Sequence, residues 1–272
     1  MSAASSKWGD LAPRVISAIA MLLIGFAAVW AGGFWIHLLV PIACGLMVWE
    51  LVRMLHSGAD YNAVSLALLS GAALFVASYV PYPTLVLPIL LAPSFVGYSL
   101  LKAGPNAKAG KRLFMIYTAV ILIAGISLIS LRDDFGIIWM VWLLLVVIVT
   151  DVAGYFAGRI IGGPKFWPRV SPKKTWSGTI AGWLGAALVG VLFAQNFGGG
   201  GVVVIVSVLV ALASQLGDIA ESAIKRHVGV KDSSRLIPGH GGLLDRFDGM
   251  LGAAVLLILV ELLIAFPPVS AG

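Results

Sequence analysis

Apolar residues run in long blocks along the chain, separated by short polar or turn-forming segments. A helix needs about 20 apolar residues to cross the hydrocarbon core of a bilayer. Nine blocks meet that length, at roughly 14–31, 34–55, 62–80, 82–102, 112–130, 136–158, 175–196, 202–224 and 249–267. Gly32-Gly33 divides the first two and Pro81 divides the third from the fourth, so tight hairpin turns are predicted there. Pro81, Pro83, Pro88 and Pro93 crowd the third and fourth blocks, and eight spans result if that pair is a re-entrant hairpin. Lys7 and Arg14 precede the first block in the manner of a signal peptide. Its apolar region is long for one and no small-x-small cleavage site follows, so it is expected to stay as an uncleaved span.

Composition supports a polytopic, all-α membrane protein of about nine spans. The 272 residues are 60% hydrophobic and 11% charged, against about 25% charged in a soluble domain. A soluble fold could not cover its surface with so few charges, and a disordered chain is excluded by the same numbers. The one cysteine, Cys44, excludes an internal disulfide framework and a Cys-based zinc site.

With the N-terminus placed in the cytoplasm, 17 of the 18 Lys and Arg residues fall on the cytoplasmic side. The exception is Arg132, which has Asp133 and Asp134 beside it. This asymmetry fixes the orientation and favours an odd number of spans. The net charge of +6 is then a property of one face pressed against lipid, not a nucleic-acid surface. The expected location is the cell's inner (plasma) membrane, multi-pass, with the active site facing the cytoplasm.

Charge concentrates in residues 215–248, where 34 positions carry ten of the 30 charges. Asp218 and Glu221 are i,i+3 and share a helix face, which Ser222 and Lys225 continue. Ionisable groups within a span usually face a cavity or a partner, although Glu221 and Lys225 at i,i+4 also suit a plain salt-bridged helix end. Pro238-Gly239-His240-Gly241-Gly242 follows, a loop whose successive N–H groups can form an anion-binding concavity. His240, between glycines, is a candidate to contact a phosphate or a base. Asp245-Arg246-Phe247-Asp248 comes next, two carboxylates at i,i+3 with an arginine between. Clustered carboxylates without cysteine suit a hard cation such as magnesium, which is commonly shared with substrate phosphates.

Two further constellations belong to the same face. In Ser171-Pro172-Lys173-Lys174-Thr175-Trp176-Ser177-Gly178, Ser before Pro reads as N-cap then first helical residue, and the two lysines beside a helix N-terminus suit an anion. As a segment by itself it is equally an ordinary positive-inside loop. Asp151 sits within an apolar span ahead of Gly154, Tyr155, Gly158, Arg159 and Gly162, whose small-xxx-small spacing permits close helix packing. Anion sites, carboxylates and a membrane boundary together point to phosphate chemistry on a lipid. No GxxxxGK[ST] occurs, so a P-loop is excluded.

The run Ser222-x-x-Lys225-Arg226-x-x-x-x-Lys231-Asp232, then Pro238-x-His240-Gly241-Gly242-x-x-Asp245-Arg246-x-Asp248, resembles the signature of phosphatidate cytidylyltransferases, also called CDP-diacylglycerol synthases. The resemblance extends to Gln215-Leu216-Gly217-Asp218, to the Ser171–Gly178 segment and to Asp151 with Gly154-Tyr155 and Gly158-Arg159, roughly the C-terminal half. It departs at Ser177, where the family usually has Glu before the glycine. The resemblance implies an all-helical homodimer that converts CTP and phosphatidate to CDP-diacylglycerol and pyrophosphate. It also implies a magnesium requirement, with room for a second cation, at a metal centre around Asp218 and Asp245 with Asp248 close by.

On that footing Asp218, Asp245, Lys225 and Arg246 are the expected catalytic residues. Asp218, Asp245, Asp248 and Glu221 are the expected metal residues. Ser171, Lys173, Lys174, Thr175, Ser222, Arg226, Lys231, His240, Gly241 and Gly242 are the expected substrate-binding set. Residues 1–110 are expected to form a transmembrane scaffold and 111–272 a catalytic region. Residues 1–130 show little legible chemistry, and Glu50 is expected to pair with Arg53 one turn on. The rivals are another CTP-dependent lipid kinase or transferase, and an ion-coupled transporter using Asp151 and Asp218. A CDP-alcohol phosphotransferase is disfavoured because Asp-Gly-x-x-Ala-Arg is absent.

Overall fold

A computed structural model of the chain describes residues 11–56, 60–101, 107–264, 266 and 267. Lys7 and Lys102, which enter the orientation argument, lie outside the described residues. Among the described residues, nine helices are long and apolar enough to cross a membrane. They are α1 (Leu11–Ala31), α2 (Gly33–Leu55), α3 (Asp60–Ala77), α4 (Pro83–Leu100), α5 (Ala107–Asp134), α6 (Gly136–Ile160), α7 (Trp176–Phe197), α8 (Gly200–Val228) and α9 (Leu244–Ile264). A short antiparallel ribbon, β1 (Lys165–Trp167) with β2 (Ser171–Thr175), stands between α6 and α7. The chain is a multi-pass membrane protein of the all-α class, with this ribbon as its one stretch of sheet among the described residues.

The proline-rich pair forms two full helices of 18 residues each, so the nine-span count stands. Pro83 opens α4, where a missing N–H costs nothing. Pro88 and Pro93 lie inside it, and a membrane helix accommodates such residues because neighbouring helices re-satisfy the freed backbone groups. The largest boundary differences are at the starts of α5 and α9, Ala107 and Leu244, ahead of the expected 112 and 249. Asp245 therefore stands in a first helical turn, where the helix dipole favours a carboxylate. At the other polarity, α8 runs on to Val228 and carries Lys225, Arg226 and His227 in its last turn.

Two compact units interleave along the chain: Met1–Thr118 with Val228–Arg246, and Ala119–His227 with Phe247–Gly272. In the first unit α2 packs on α3 and α3 on α4. Val48, Leu51, Leu66 and Leu74 are fully buried there. In the second, α6 and α7 lie together. Gly154 and Gly158 make this possible, since side chains there would press on the Gly178 carbonyl and the Thr175 hydroxyl. The third glycine of the spacing, Gly162, faces open space. On α8, Gly217 lies so close to α9 that a methyl group would run into the Asp248 carbonyl and Gly252. Polar ties supplement this packing, as is usual where lipid gives helices no hydrophobic reason to associate. The Trp142 indole donates to Ser207 Oγ at 2.9 Å and Ser127 Oγ to the Ala254 carbonyl at 2.8 Å.

Candidate active site

The segment expected to open α7 at Ser171 is instead extended. Ser171 precedes a proline, which disfavours helical backbone at that residue. Ser171–Thr175 pairs with Lys165–Trp167 as β2, and Pro172 is tolerated in a two-stranded ribbon because both strands are edges. The helix begins four residues later, capped by Thr175, whose hydroxyl accepts from the Gly178 N–H at 3.3 Å. Ser177 donates to the Gly162 carbonyl at 2.5 Å, tying the end of α6 to the start of α7. The glutamate that the family usually carries there could not donate that bond once ionised. Thr175→Ala removes the cap and is expected to cost about 1 kcal/mol. Thermal unfolding in detergent checks this, and an unchanged melting temperature contradicts the capping role.

β2 delivers Lys174 to the carboxylates of the second unit. Lys174 Nζ lies 2.6 Å from Asp218 Oδ2 on α8 and donates to the Gln215 carbonyl at 3.3 Å. Ser222, one turn beyond Asp218, donates to Asp218 Oδ1 at 3.2 Å. Gln215 is held by the Trp183 indole N–H at 3.0 Å, which ties α7 to α8 beside this pair. Asp248 on α9 and Asp151 on α6 are within electrostatic reach of Asp218 and of each other. Lys174 acts on Asp151 and Lys225 on Asp248. Three carboxylates from three helices and two ammonium groups thus form one charged patch. Glu221 is fully buried and ion-paired with Lys225, as the i,i+4 spacing allowed.

The first unit holds the glycine loop. Ile237-Pro238-Gly239-His240 is a β-turn closed by the His240 N–H on the Ile237 carbonyl at 3.0 Å. Proline presets its second position, and Gly239 supplies the positive φ of 75° at the third. At the end of the loop N–H groups do meet anions, from Gly242 onward, but these are the protein's own carboxylates. Asp245 Oδ2 accepts from Gly242 N–H at 2.8 Å, Ser233 N–H at 2.8 Å and Ser233 Oγ at 3.0 Å. The Leu243 and Leu244 N–H groups go to Glu50 on α2, at 2.8 and 2.7 Å. Gly241, with φ 87°, has no room for a side chain: a Cβ would lie 2.8 Å from Asp245 Oδ2.

Glu50 corrects two expectations. It is fully buried and does not pair with Arg53, which instead meets Asp60 at 3.2 Å. The first 130 residues therefore do contribute polar chemistry. Ser17 of α1 contributes as well, lying 2.9 Å from His240 Nδ1 and donating to the Pro238 carbonyl at 3.0 Å. An ionisable residue inside an apolar span was the available signal for Glu50. The remaining expected residues are more open. Lys173, Arg226 and Lys231 are exposed, and Arg246, also exposed, grips the His240 carbonyl through Nε and Nη2.

The profile of the cytidylyltransferase family matches residues 12–263. The chain belongs to that family. It is 31% identical over 251 residues to the phosphatidate cytidylyltransferase of Staphylococcus haemolyticus, covering 88% of this chain and 94% of that one. To the phosphatidate cytidylyltransferase of Brucella suis it is 49% identical over 150 residues, and the match spans 54% of this chain and 56% of the Brucella protein. The same-named protein of Helicobacter pylori strain J99 is 31% identical over 247 residues, 89% of this chain and 88% of that one.

Cytidylyltransferases generally use divalent cations. The donor chemistry of Asp151, Asp218 and Asp248 fits such an ion, since all are hard oxygen ligands. Among the described residues no three His, Cys, Asp or Glu side chains are gathered at chelating distance. The Lys174 ammonium supplies the positive charge beside Asp218.

Proposed function

We propose that this cytidylyltransferase joins the cytidylyl group of CTP to phosphatidate, giving CDP-diacylglycerol and pyrophosphate. A phosphatidate oxygen attacks the α-phosphorus of CTP, and the bond from that phosphorus to the departing pyrophosphate breaks. The attacking phosphate is already ionised near neutral pH, its second pKa being about 6. No Ser–His or Cys–His nucleophile is required. The difficulty is to bring two anions together, so positioning and charge stabilisation carry the catalysis.

The juxtaposition of Lys174 and Asp218 at 2.6 Å, beside Asp151 and Asp248, carries this reading. It sets a phosphate-binding cation next to carboxylates suited to a metal. Magnesium, when bound, supplies positive charge to the phosphates and helps to orient them. Asp218 and Asp248, with Asp151 beside them, are assigned to hold it, and the family resemblance assigns Asp245 to the reaction as well. Glu221 supports them through Lys225, and Ser222 orients Asp218. Lys173 and Lys174, with Ser171 and Thr175, take the CTP phosphates. Lys225, Arg226, Lys231 and Arg246 take phosphatidate or the leaving pyrophosphate, and His240 lies on the loop beside Arg246. The distribution of basic residues supports an active site on the cytoplasmic face of the inner membrane. The family resemblance supports assembly as a homodimer.

Detergent-purified full-length protein tests the reaction. Pyrophosphate release should require CTP, phosphatidate and magnesium together. Release that ignores phosphatidate, or its absence with all three present, overturns the assignment.

A further inference from the structure

Glu50 is a carboxylate inside a membrane-spanning helix with no exposed surface. Such a group is costly unless donors surround it. Four do. Oε1 accepts from Ser234 Oγ at 2.6 Å and Leu243 N–H at 2.8 Å. Oε2 accepts from Leu244 N–H at 2.7 Å and Ser233 Oγ at 3.2 Å. Leu243 and Leu244 lie at the start of α9, where backbone N–H groups have no partner within the helix. Glu50 thus caps α9 from another helix.

Its neighbour in this arrangement is Asp245. Ser233 Oγ lies 3.2 Å from Glu50 Oε2 and 3.0 Å from Asp245 Oδ2. A hydroxyl has one proton, so the two carboxylates share one donor. Asp245 Oδ2 also takes the N–H groups on either side of that arrangement, from Ser233 and Gly242. Residues 242–245 are consequently held by two carboxylates, one from α9 itself and one from α2. A helix cap alone needs only a serine or threonine hydroxyl. A carboxyl group buried in a span and linked through one hydroxyl to Asp245 is more than a cap requires.

We propose that Glu50 is a positioning residue for cytidylyl transfer, holding Leu243–Asp245 so that the Asp245 carboxylate keeps one orientation. The role rests on the reaction proposed above. Supporting groups of this kind typically change activity by about 10–100-fold.

Glu50→Gln in the full-length enzyme keeps the side-chain shape but puts an N–H2 against donors. It is expected to lower kcat at least about tenfold and to leave KM for CTP and phosphatidate within about threefold. Hydrogen–deuterium exchange should quicken in peptides covering residues 233–245. In an Asp245→Asn background the same change should cost less than about twofold more, because the two residues act as one unit. An active wild type with Glu50→Gln equally fast overturns the positioning role alone. So does a Glu50→Gln loss that persists undiminished on Asp245→Asn. A wild type without phosphatidate-dependent release overturns the reaction and this role with it. If Glu50→Gln does not fold, Ser234→Ala removes one donor and should give the same pattern at about threefold; an unchanged kcat there also overturns the proposal.

Discussion

Asp218→Asn is expected to lower phosphatidate-dependent pyrophosphate release on the order of 10³-fold, with little change in melting temperature. The substitution is isosteric, and an amide oxygen can still accept from Ser222 Oγ or face Lys174 Nζ. What disappears is the negative charge. Lys174 then has no carboxylate at 2.6 Å to hold it in place, and a hard cation loses an anionic oxygen donor. Asp60→Asn makes a suitable control, because Asp60 pairs with Arg53 in an exposed bridge. An Asp218→Asn enzyme retaining more than about a tenth of the wild-type rate contradicts the role given to this residue.

The second large effect is expected at Asp245, where activity and stability should separate between two substitutions. Asp245→Ala leaves the Ser233 and Gly242 N–H groups without their acceptor. Each such loss costs about 1–3 kcal/mol where water cannot replace the partner, so this variant should melt earlier as well as lose activity. Asp245→Asn can offer its amide oxygen to the same donors and should melt close to wild type. Its transfer rate should still fall about 10²-fold, because the charge is gone. Equal melting of both variants would show that the loop does not depend on this carboxylate. An active Asp245→Asn enzyme would remove Asp245 from the reaction.

The helices were legible because a bilayer imposes one length and one composition on every span. The charged patch was legible for the complementary reason: in a chain so poor in charge, Asp151, Asp218 and Asp248 stand out. Glu50 was misread because a local partner, Arg53, was in view at i+3. Its real donors are 183 to 194 residues away in sequence, beyond the reach of any spacing rule. The cap of α7 was misread for a different reason. Ser171-Pro172 and Thr175 both satisfy the grammar of a helix start, and only the pairing of β2 with β1 decides between them. That the N–H groups of Gly242, Leu243 and Leu244 face internal carboxylates was also hidden. The sequence announces an anion site there without saying that the anions are already covalently part of the chain.

The separation between Glu50 and its donors bears on how the protein is made. Synthesis is vectorial, so α2 emerges long before Ser233, Ser234 and the start of α9 exist. For that interval the helix carries an ionisable carboxyl into the membrane with none of its eventual donors available, a state several kcal/mol unfavourable if it stays charged. The apolar residues of α2 can carry that carboxyl into the membrane, but its hydrogen bonds are completed only when the last part of the chain arrives.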